Sequence, residues 1–331
     1  MEILANKWRP KSFAEVVGQP VIVSILSRQI ETKTFKNVYL FAGPSGCGKT
    51  TTARIFAREI NNGEGEPIEI DAASNNGVDN IRELSMSAYQ APLDSNYNIY
   101  IIDECHMLTT QAWNAALKLI EEPPMHSIFI FCTTNPDKIP ETILTRVQRF
   151  DFNRIPLDVI SDRLEFILNE ELCSPKYDRS ALDRIALMSD GYMREAISLL
   201  DKCLSYSDEI TLDNVEKVLG LVKYDLLVDL NNFIVDKNQA EAINVLNKIK
   251  SSNSNLLSVL DSILQFFIDC NKLKKFSHIK YTSIPESYKD KIKITDDITL
   301  FVDTAFKYRL IANTLDVDII LDVIIIDLCN R

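Results

Sequence analysis

The sequence lacks paired cysteines, a targeting segment and a long hydrophobic run. Its seven cysteines are scattered, with no CxxC pair and no histidine-rich run, so neither a disulfide framework nor a zinc site is indicated. The N-terminus has no basic stretch followed by an apolar one, and the most apolar segment, residues 319–326, is short and interrupted by Asp322. These absences predict a cytoplasmic protein that does not contact membranes.

An excess of basic charge is also lacking. The formal net charge is −11, which argues against a general nucleic-acid binder. The charge is uneven along the chain, with a net +5 over residues 1–60 and a net −15 over residues 61–220. Any contact with DNA must therefore be local.

The 331 residues, 46% hydrophobic and 25% charged, are typical of a globular chain of about two domains. In the first half, short apolar runs alternate with helical patterns. The runs lie at residues 38–42, 67–70, 98–102 and 127–132, and the helical patterns include residues 78–89 and 110–121. This alternation predicts an α/β domain over residues 1–157, with a parallel sheet covered by helices on both faces.

Strand patterns stop after Pro156. Helical periodicity at residues 157–171, 180–189, 194–204 and 211–219 predicts a small helical domain over residues 158–220. Residues 221–331 are also helical by period, with breaks at residues 251–255 and 283–287, and we expect them to form a third, all-helical domain.

Residues 43–50, GPSGCGKT, match the phosphate-loop pattern GxxxxGK[ST] between a predicted strand and a predicted helix. Glycines let backbone N–H groups surround phosphates, and the helix N-terminus adds positive potential. In such a loop Lys49 reaches the terminal phosphates and Thr50 ligates magnesium. The pattern predicts nucleotide binding.

A second acidic motif follows at the end of an apolar strand. Asp103 is placed to complete the magnesium shell and Glu104 to face an attacking water. Together with the phosphate loop, this pair favours hydrolysis over binding alone.

Six further segments carry a resemblance to a known family. They are residues 7–10 (KWRP), 13–19 (FAEVVGQ), 71–78 (DAASNNGV), 103–108 (DECHML), 121–124 (EEPP) and 148–152 (QRFDF). They resemble the gamma/tau subunits of bacterial DNA polymerase III, the ATPases of the sliding-clamp loader, which belong to the AAA+ class. The resemblance is dense over residues 5–220; over residues 221–331 it rests on helical character and position.

The resemblance implies a full nucleotide site. Thr134 corresponds to the sensor 1 position that orients water, and Arg194 to the sensor 2 arginine that reaches the γ-phosphate of the same subunit. Arg146 corresponds to an arginine finger that acts on ATP in a neighbouring subunit, although its flanking residues differ from the family pattern. The residues expected to hold the nucleotide are Arg9, Pro10, Val17, Gly46, Cys47, Gly48, Lys49, Thr50, Thr51, Met193 and Arg194.

The resemblance also implies partners. Asn75, Asn76 and Arg82 begin a helix that faces template-strand phosphates in the family. Met86 and Tyr89 are candidates for contact with the clamp. The expected assembly is a ring-like hetero-oligomer, a pentamer, joined by the C-terminal collar, with ATP and Mg²⁺ as cofactors. Zinc is not expected, because residues 61–67 are too short for the family's four-cysteine module and contain no thiol.

The predicted function is therefore that of a motor ATPase, stimulated by DNA, which opens the clamp and loads it on primer–template DNA. Two alternatives remain open. One is a non-hydrolysing scaffold subunit of the same loader. The other is a different AAA+ DNA motor such as a helicase, which would need a second nucleotide-binding lobe where residues 158–331 are helical.

Overall fold

The computed structural model describes residues 3–92, 94–172, 175–253, 255–276, 282, 284–312 and 314–330. The chain divides into two units. The first comprises Met1–Ile167 and Met188–Ser198, and the second comprises Leu168–Leu187 and Leu199–Arg331. The three-domain division expected from the sequence stays a prediction.

A five-stranded sheet forms the centre of the first unit. Its strands are β1 (Val38–Ala42), β2 (Ile68–Asp71), β3 (Asn98–Asp103), β4 (Ser127–Thr133) and β5 (Gln148–Asp151). Every pairing is parallel and the order is β2-β3-β4-β1-β5. Parallel neighbours need crossover connections, and helices supply them here, so the predicted α/β class is confirmed.

The helices of the first unit lie before, between and after these strands. They are α1 (Leu4–Lys7), α2 (Pro20–Glu31), α3 (Lys49–Ile60), α4 (Val78–Ala88), α5 (Thr110–Glu121), α6 (Glu141–Leu144) and the start of α7 (Leu157–Glu171). Short 3-10 helices occupy Phe13–Glu15, Cys105–Met107 and Pro136–Lys138. Two of these helices begin at residues typical of helix N-termini. Pro20 is the first residue of α2, and the Thr109 side chain caps α5.

Side chains of the central strands alternate between two apolar layers. Leu40 and Phe129 belong to the cluster that includes α4 and α5, whereas Tyr39, Phe41 and Ile130 belong to the cluster that includes α2 and α3. All five are fully buried, and full burial of such side chains stabilises a fold by roughly 1.5–3 kcal/mol each. Both faces of the sheet are therefore covered, as predicted.

Two features differ from the sequence prediction. The edge strand β5 was not expected, because in the run Gln148–Asp151 only Phe150 is buried. The expectation that strands stop after Pro156 is wrong, since β6 (Lys176–Tyr177) and β7 (Glu209–Ile210) form a parallel pair in the second unit. Two residues are too few for an alternating pattern to be recognised.

Apart from β6 and β7, the regular elements described after α7 are helices. The remaining helices are α8 (Arg179–Met188), α9 (Met193–Leu204), α10 (Leu212–Leu219), α11 (Tyr224–Val235), α12 (Gln239–Ser252), α13 (Leu256–Lys275), α14 (Glu286–Lys289), α15 (Ile298–Ile311) and α16 (Val317–Asn330). α12 ends at Ser252 and α13 begins at Leu256, so the break predicted at residues 251–255 is confirmed only after Ser252, and Asn255 caps α13 by accepting two backbone N–H bonds. The break predicted at residues 283–287 is wrong at its end, because α14 begins at Glu286. Phe267, Phe301 and Ile324 belong to one buried cluster of this unit. In the described residues no helix combines the length and apolar character needed to cross a bilayer.

Candidate nucleotide-binding site

The loop between β1 and α3 has a backbone that requires glycine. Gly43, Gly46 and Gly48 have positive φ angles of 147°, 71° and 100°. A Cβ on Gly43 would lie 2.4 Å from the carbonyl oxygen of Phe152, which is closer than any such contact tolerates. The tight loop delivers the chain directly into the N-terminus of α3.

Lys49 is the first residue of α3 and is buried. Its Nζ donates hydrogen bonds of 2.8 Å to the carbonyl oxygens of both Gly43 and Pro44, so the ammonium lies inside the curve of the loop. Cys47 is buried beside it, and its Sγ donates to the carbonyl oxygen of Pro44 at 2.9 Å. Burial raises the pKa of the Cys47 thiol, which keeps it neutral.

The acidic motif lies beside the phosphate loop at the carboxyl ends of the strands. β3 ends at Asp103, and the Thr50 hydroxyl donates to its Oδ2 at 2.8 Å. This is possible because β4 lies between β1 and β3 and brings their carboxyl ends to one side. A hydroxyl and a carboxylate form the hard-oxygen pair that Mg²⁺ prefers.

Glu104 adopts a left-handed conformation with φ 46°. Its Oε2 accepts hydrogen bonds from the Thr134 hydroxyl at 2.8 Å and the Thr134 backbone N–H at 3.3 Å. Thr134 directly follows β4, so the sheet places the expected sensor beside the expected base. Glu104 also lines the cleft beside the loop.

The N-terminal segment forms another wall of this cleft. Arg9, Pro10 and Val17 all line it, and Arg9 Nε donates to the Thr51 hydroxyl at 3.3 Å. Burial lowers the pKa of Arg9, and the neighbouring Arg54 guanidinium lowers it further. The guanidinium nevertheless remains charged at neutral pH.

Met193 and Arg194, at the start of α9, complete the cleft. A Cβ on Gly46 would lie 3.7 Å from the Cβ of Arg194, which shows how closely the loop approaches this helix start. The sequence analysis assigned a set of residues to the nucleotide bound by their own chain. Each of them either lines this cleft or contacts a residue that lines it.

Other residues of the site were missed in the sequence. Trp8 and Arg163 line the cleft, with the Arg163 guanidinium 5.8 Å from the centre of the Trp8 ring. His106 Nδ1 lies 3.3 Å from Glu104 Oε2. Of these, Trp8 and His106 stand in segments that carry the family resemblance, residues 7–10 and 103–108, whereas Arg163 belongs to no motif.

Arg146 lies outside this cleft. It follows α6, is 39% exposed, and forms an ion pair of 2.8 Å with Glu121 at the end of α5. Its Nη1 also donates to the carbonyl oxygen of Thr142 at 2.6 Å. The arginine is therefore held at the surface, where a neighbouring subunit could reach it.

The expected DNA contacts are also exposed and away from the cleft. The Asn75 side chain donates to the carbonyl oxygen of Asp71 at 3.2 Å, and Asn76 accepts from the Thr109 backbone. Arg82 pairs with Asp79 one turn earlier on α4 at 3.0 Å, which reduces its net attraction for phosphate. Met86 and Tyr89 are exposed at the other end of that helix.

Within the described parts of the chain, no group of three or more histidine, cysteine or acidic side chains is arranged to hold a metal ion. The oxygen pair of Thr50 and Asp103 suits a magnesium ion that keeps its waters and takes its other ligands from phosphate. The absence of zinc stays a prediction.

Two family models match the chain. The model described as "DNA polymerase III, delta subunit" matches residues 68–156, and the model "DNA polymerase III clamp loader subunit, ATPase lid domain" matches residues 159–209.

Similar full-length proteins cover more of the chain. DNA polymerase III subunit tau of Bacillus subtilis is 37% identical over 319 residues, which is 89% of this chain and 55% of that protein. DNA polymerase III subunit gamma of Buchnera aphidicola from Acyrthosiphon pisum is 33% identical over 316 residues, 88% of this chain and 86% of that protein. The chain thus spans about half the length of the tau relative and most of the gamma relative.

Among solved structures, the RuvB Holliday junction branch migration motor of Thermotoga maritima is similar with a TM-score of 0.55 and 18% identity. The match covers 86% of this chain and 88% of that one. At this level of identity the likeness shows the fold alone.

Proposed function

Because the chain belongs to the family of DNA polymerase III gamma and tau subunits, we propose that it is an ATP-hydrolysing motor subunit of a sliding-clamp loader. In this proposal ATP binding favours the state that opens the clamp, and hydrolysis on primer–template DNA releases the closed clamp. The observation that carries it is the single cleft lined by the phosphate loop, the acidic pair and Arg194.

The nucleotide would be held from three sides. Loop amides around Gly46 and Gly48 and the ammonium of Lys49 would bind the phosphates. Arg9, Pro10 and Val17 would enclose the base, and Arg194 would reach the γ-phosphate from α9. The scaffold alternative is less well supported, because a subunit that does not hydrolyse ATP needs none of this chemistry.

Hydrolysis requires a polarised water and stabilised phosphate charge. Thr50 and Asp103 would hold Mg²⁺, which neutralises charge on the phosphate oxygens. Glu104 would accept a proton from water as the water oxygen bonds to the γ-phosphorus. The bond from that phosphorus to the bridging oxygen breaks, and ADP leaves with the electron pair. The Thr134 hydroxyl, which donates to Glu104, would orient this base.

Arg146 would act on ATP bound by a neighbouring subunit. Its exposure and its position outside the lining of the chain's own cleft support this role, because a guanidinium at the surface is available to another chain. The finger implies a ring-like hetero-oligomer, which we take to be a pentamer joined through residues 221–331. Glu121 would have to release the arginine on assembly.

We further propose that DNA stimulates hydrolysis. Asn75, Asn76, Arg82 and the backbone amides at the start of α4 would contact phosphates without reading bases. Met86 and Tyr89 would face the clamp, since apolar side chains exposed at a helix end suit a protein interface.

The test is steady-state ATP hydrolysis with and without primer–template DNA, using the wild-type chain together with its partner subunits and clamp. Arg146→Ala should keep ATP binding and lose DNA-stimulated turnover by about 10³-fold or more, the usual effect of an arginine finger. Arg149→Ala is the matched control, because Arg149 is 40% exposed and also pairs with a carboxylate, that of Asp151.

The outcomes separate the candidate functions. Stimulation by DNA that disappears only in Arg146→Ala supports a loader motor with shared sites. ATP turnover that is unchanged by DNA and by Arg146→Ala contradicts the assignment of Arg146 as an arginine finger and favours another AAA+ motor. The complete absence of hydrolysis favours the scaffold subunit.

A further inference from the structure

A sharp turn precedes α9 and is fixed by its own backbone. Asp190 and Gly191 have positive φ angles of 52° and 84°, so two consecutive residues are left-handed. The Tyr192 backbone N–H donates to the carbonyl oxygen of Ser189 at 2.9 Å and closes the turn. The turn leads directly into α9, of which Arg194 is the second residue.

The segment that follows β5 packs against this turn. The Arg154 guanidinium forms an ion pair with the Asp190 carboxylate and lies 5.3 Å from the centre of the Tyr192 ring. The next residue, Ile155, donates its backbone N–H to the carbonyl oxygen of Gly191 at 3.0 Å. A Cβ on Gly191 would lie 2.8 Å from the Cβ of Arg154, so this close approach requires glycine. Three consecutive residues of the turn thus contact Arg154 or its neighbour.

The same turn also approaches the phosphate loop. A Cβ on Gly46 would lie 3.1 Å from the Cβ of Tyr192 and 3.7 Å from the Cβ of Arg194. Gly46 and Arg194 line the nucleotide cleft, whereas Arg154 and Tyr192 are not among the described residues that line it. Tyr192 therefore lies against both Arg154, outside the cleft, and Gly46, inside it.

We propose that Arg154 and Tyr192 are positioning residues for Arg194. The ion pair to Asp190 and the contact of the guanidinium with the Tyr192 ring hold the start of α9 against the phosphate loop. The Arg194 guanidinium then stays where the γ-phosphate of ATP binds. The inference rests on the proposed ATPase function and adds two residues for which that function assigned no role.

The test is the affinity of the full chain for ATPγS relative to ADP, each measured with Mg²⁺ by isothermal titration calorimetry. In the proposed site Arg194 contacts the γ-phosphate, which ADP lacks, so a displaced Arg194 weakens ATPγS binding and leaves ADP binding unchanged. We expect Arg154→Ala to lower the affinity ratio about three- to tenfold, a modest factor because the side chains of the ion pair are 56% and 61% exposed. Arg154→Lys, which can keep the ion pair, should lose less.

Substitutions of Tyr192 test the contact with the ring. Tyr192→Phe keeps the ring and should retain the wild-type affinity ratio, whereas Tyr192→Ala removes it and should lower the ratio by a factor similar to that of Arg154→Ala. Because the two side chains share one contact, the double alanine variant should lose clearly less than the product of the two single losses. Single losses that simply multiply, or an equal loss in Tyr192→Phe and Tyr192→Ala, would overturn the proposal.

Arg149→Ala is the matched control, since Arg149 on β5 is 40% exposed and also pairs with an aspartate, Asp151. Its affinity ratio should equal that of the wild type. Equal weakening of ATPγS and ADP in Arg154→Ala, or a lower melting temperature with an unchanged ratio, would show a purely structural role and overturn the proposal.

Arg194→Ala separates the inference from the function on which it rests. If Arg194→Ala loses the preference for ATPγS and Arg154→Ala keeps it, the inference alone fails. If Arg194→Ala keeps the preference, or if the wild type has none, the proposed role of Arg194 fails and the inference fails with it.

Discussion

Glu216 makes the stability of the second unit depend on pH. It lies on α10, is 4% exposed, and its Oε1 accepts the backbone N–H of Tyr224 at 3.3 Å. Burial raises the pKa of Glu216 from 4.5 to about 7, although the Arg184 guanidinium nearby acts in the opposite direction. The folded protein therefore holds this proton more tightly than the unfolded chain does.

The magnitude follows from proton linkage. A raised carboxyl pKa contributes stability that is complete below the unfolded pKa of 4.5 and is lost as the pH rises through the folded value near 7. With these two values, the free energy of unfolding should fall by about 1.4 kcal/mol between about pH 6 and about pH 8.5. Most of this fall lies below about pH 7.5.

Glu216→Gln removes the titration and keeps an oxygen that can accept the Tyr224 N–H. Urea unfolding of both proteins, followed by far-ultraviolet circular dichroism at each pH, gives the free energy of unfolding. The wild-type value minus the variant value should fall by about 1.4 kcal/mol across the range, because histidines and other groups cancel in the difference. Glu241→Gln, at an exposed glutamate, is the control. For this variant the wild-type free energy of unfolding minus the variant value should stay constant across the pH range. Parallel pH curves for wild type and Glu216→Gln, or a difference that grows with pH, would refute the reasoning.

Three further predictions concern the fold. Gly43→Ala should abolish binding in a fluorescent-nucleotide titration, because its Cβ would meet a backbone carbonyl at 2.4 Å; Gly77→Ala, at a negative φ where the nearest atom to the new Cβ is Asn80 Nδ2 at 4.0 Å, should bind normally, and tight binding by both would contradict the loop geometry. Ile130→Ala, at a fully buried site, should cost about 2–5 kcal/mol in urea unfolding, against less than about 1 kcal/mol for the half-exposed Ile68→Ala. Asn255→Ala should cost about 1 kcal/mol through loss of the α13 cap, while Asn255→Asp should cost little; equal losses would argue against capping.

How much of the fold could be predicted depends on burial. β1, β3 and β4 are covered on both faces, so their sequences are nearly continuous apolar runs that stand out from the helices. β2 was placed one residue early, and its end at Asp71 is polar. β5 buries only Phe150 and is held chiefly by backbone pairing to β1. Its side chains therefore show no clear strand pattern in the sequence.

The residues of the candidate site also divide into those that could be predicted from the sequence and those that could not. The loop and the acidic pair were recognisable because their chemistry requires adjacent residues in fixed spacing. Arg163 reaches the cleft from α7, more than a hundred residues after the loop, and belongs to no motif. The hydrogen bond between Thr134 and Glu104 depends on two strands lying side by side, which only the three-dimensional pairing supplies.

The position of β4 sets the order in which the site can be made. β4 lies between β1 and β3 in the sheet, although it follows both in the chain. During synthesis the loop after β1 and the acids after β3 thus have no common neighbour until the ribosome releases β4, which ends at Thr133. A nascent chain shorter than this contains both motifs and cannot join them, so the hydrogen bond between Thr50 and Asp103 should form only after this one strand is inserted.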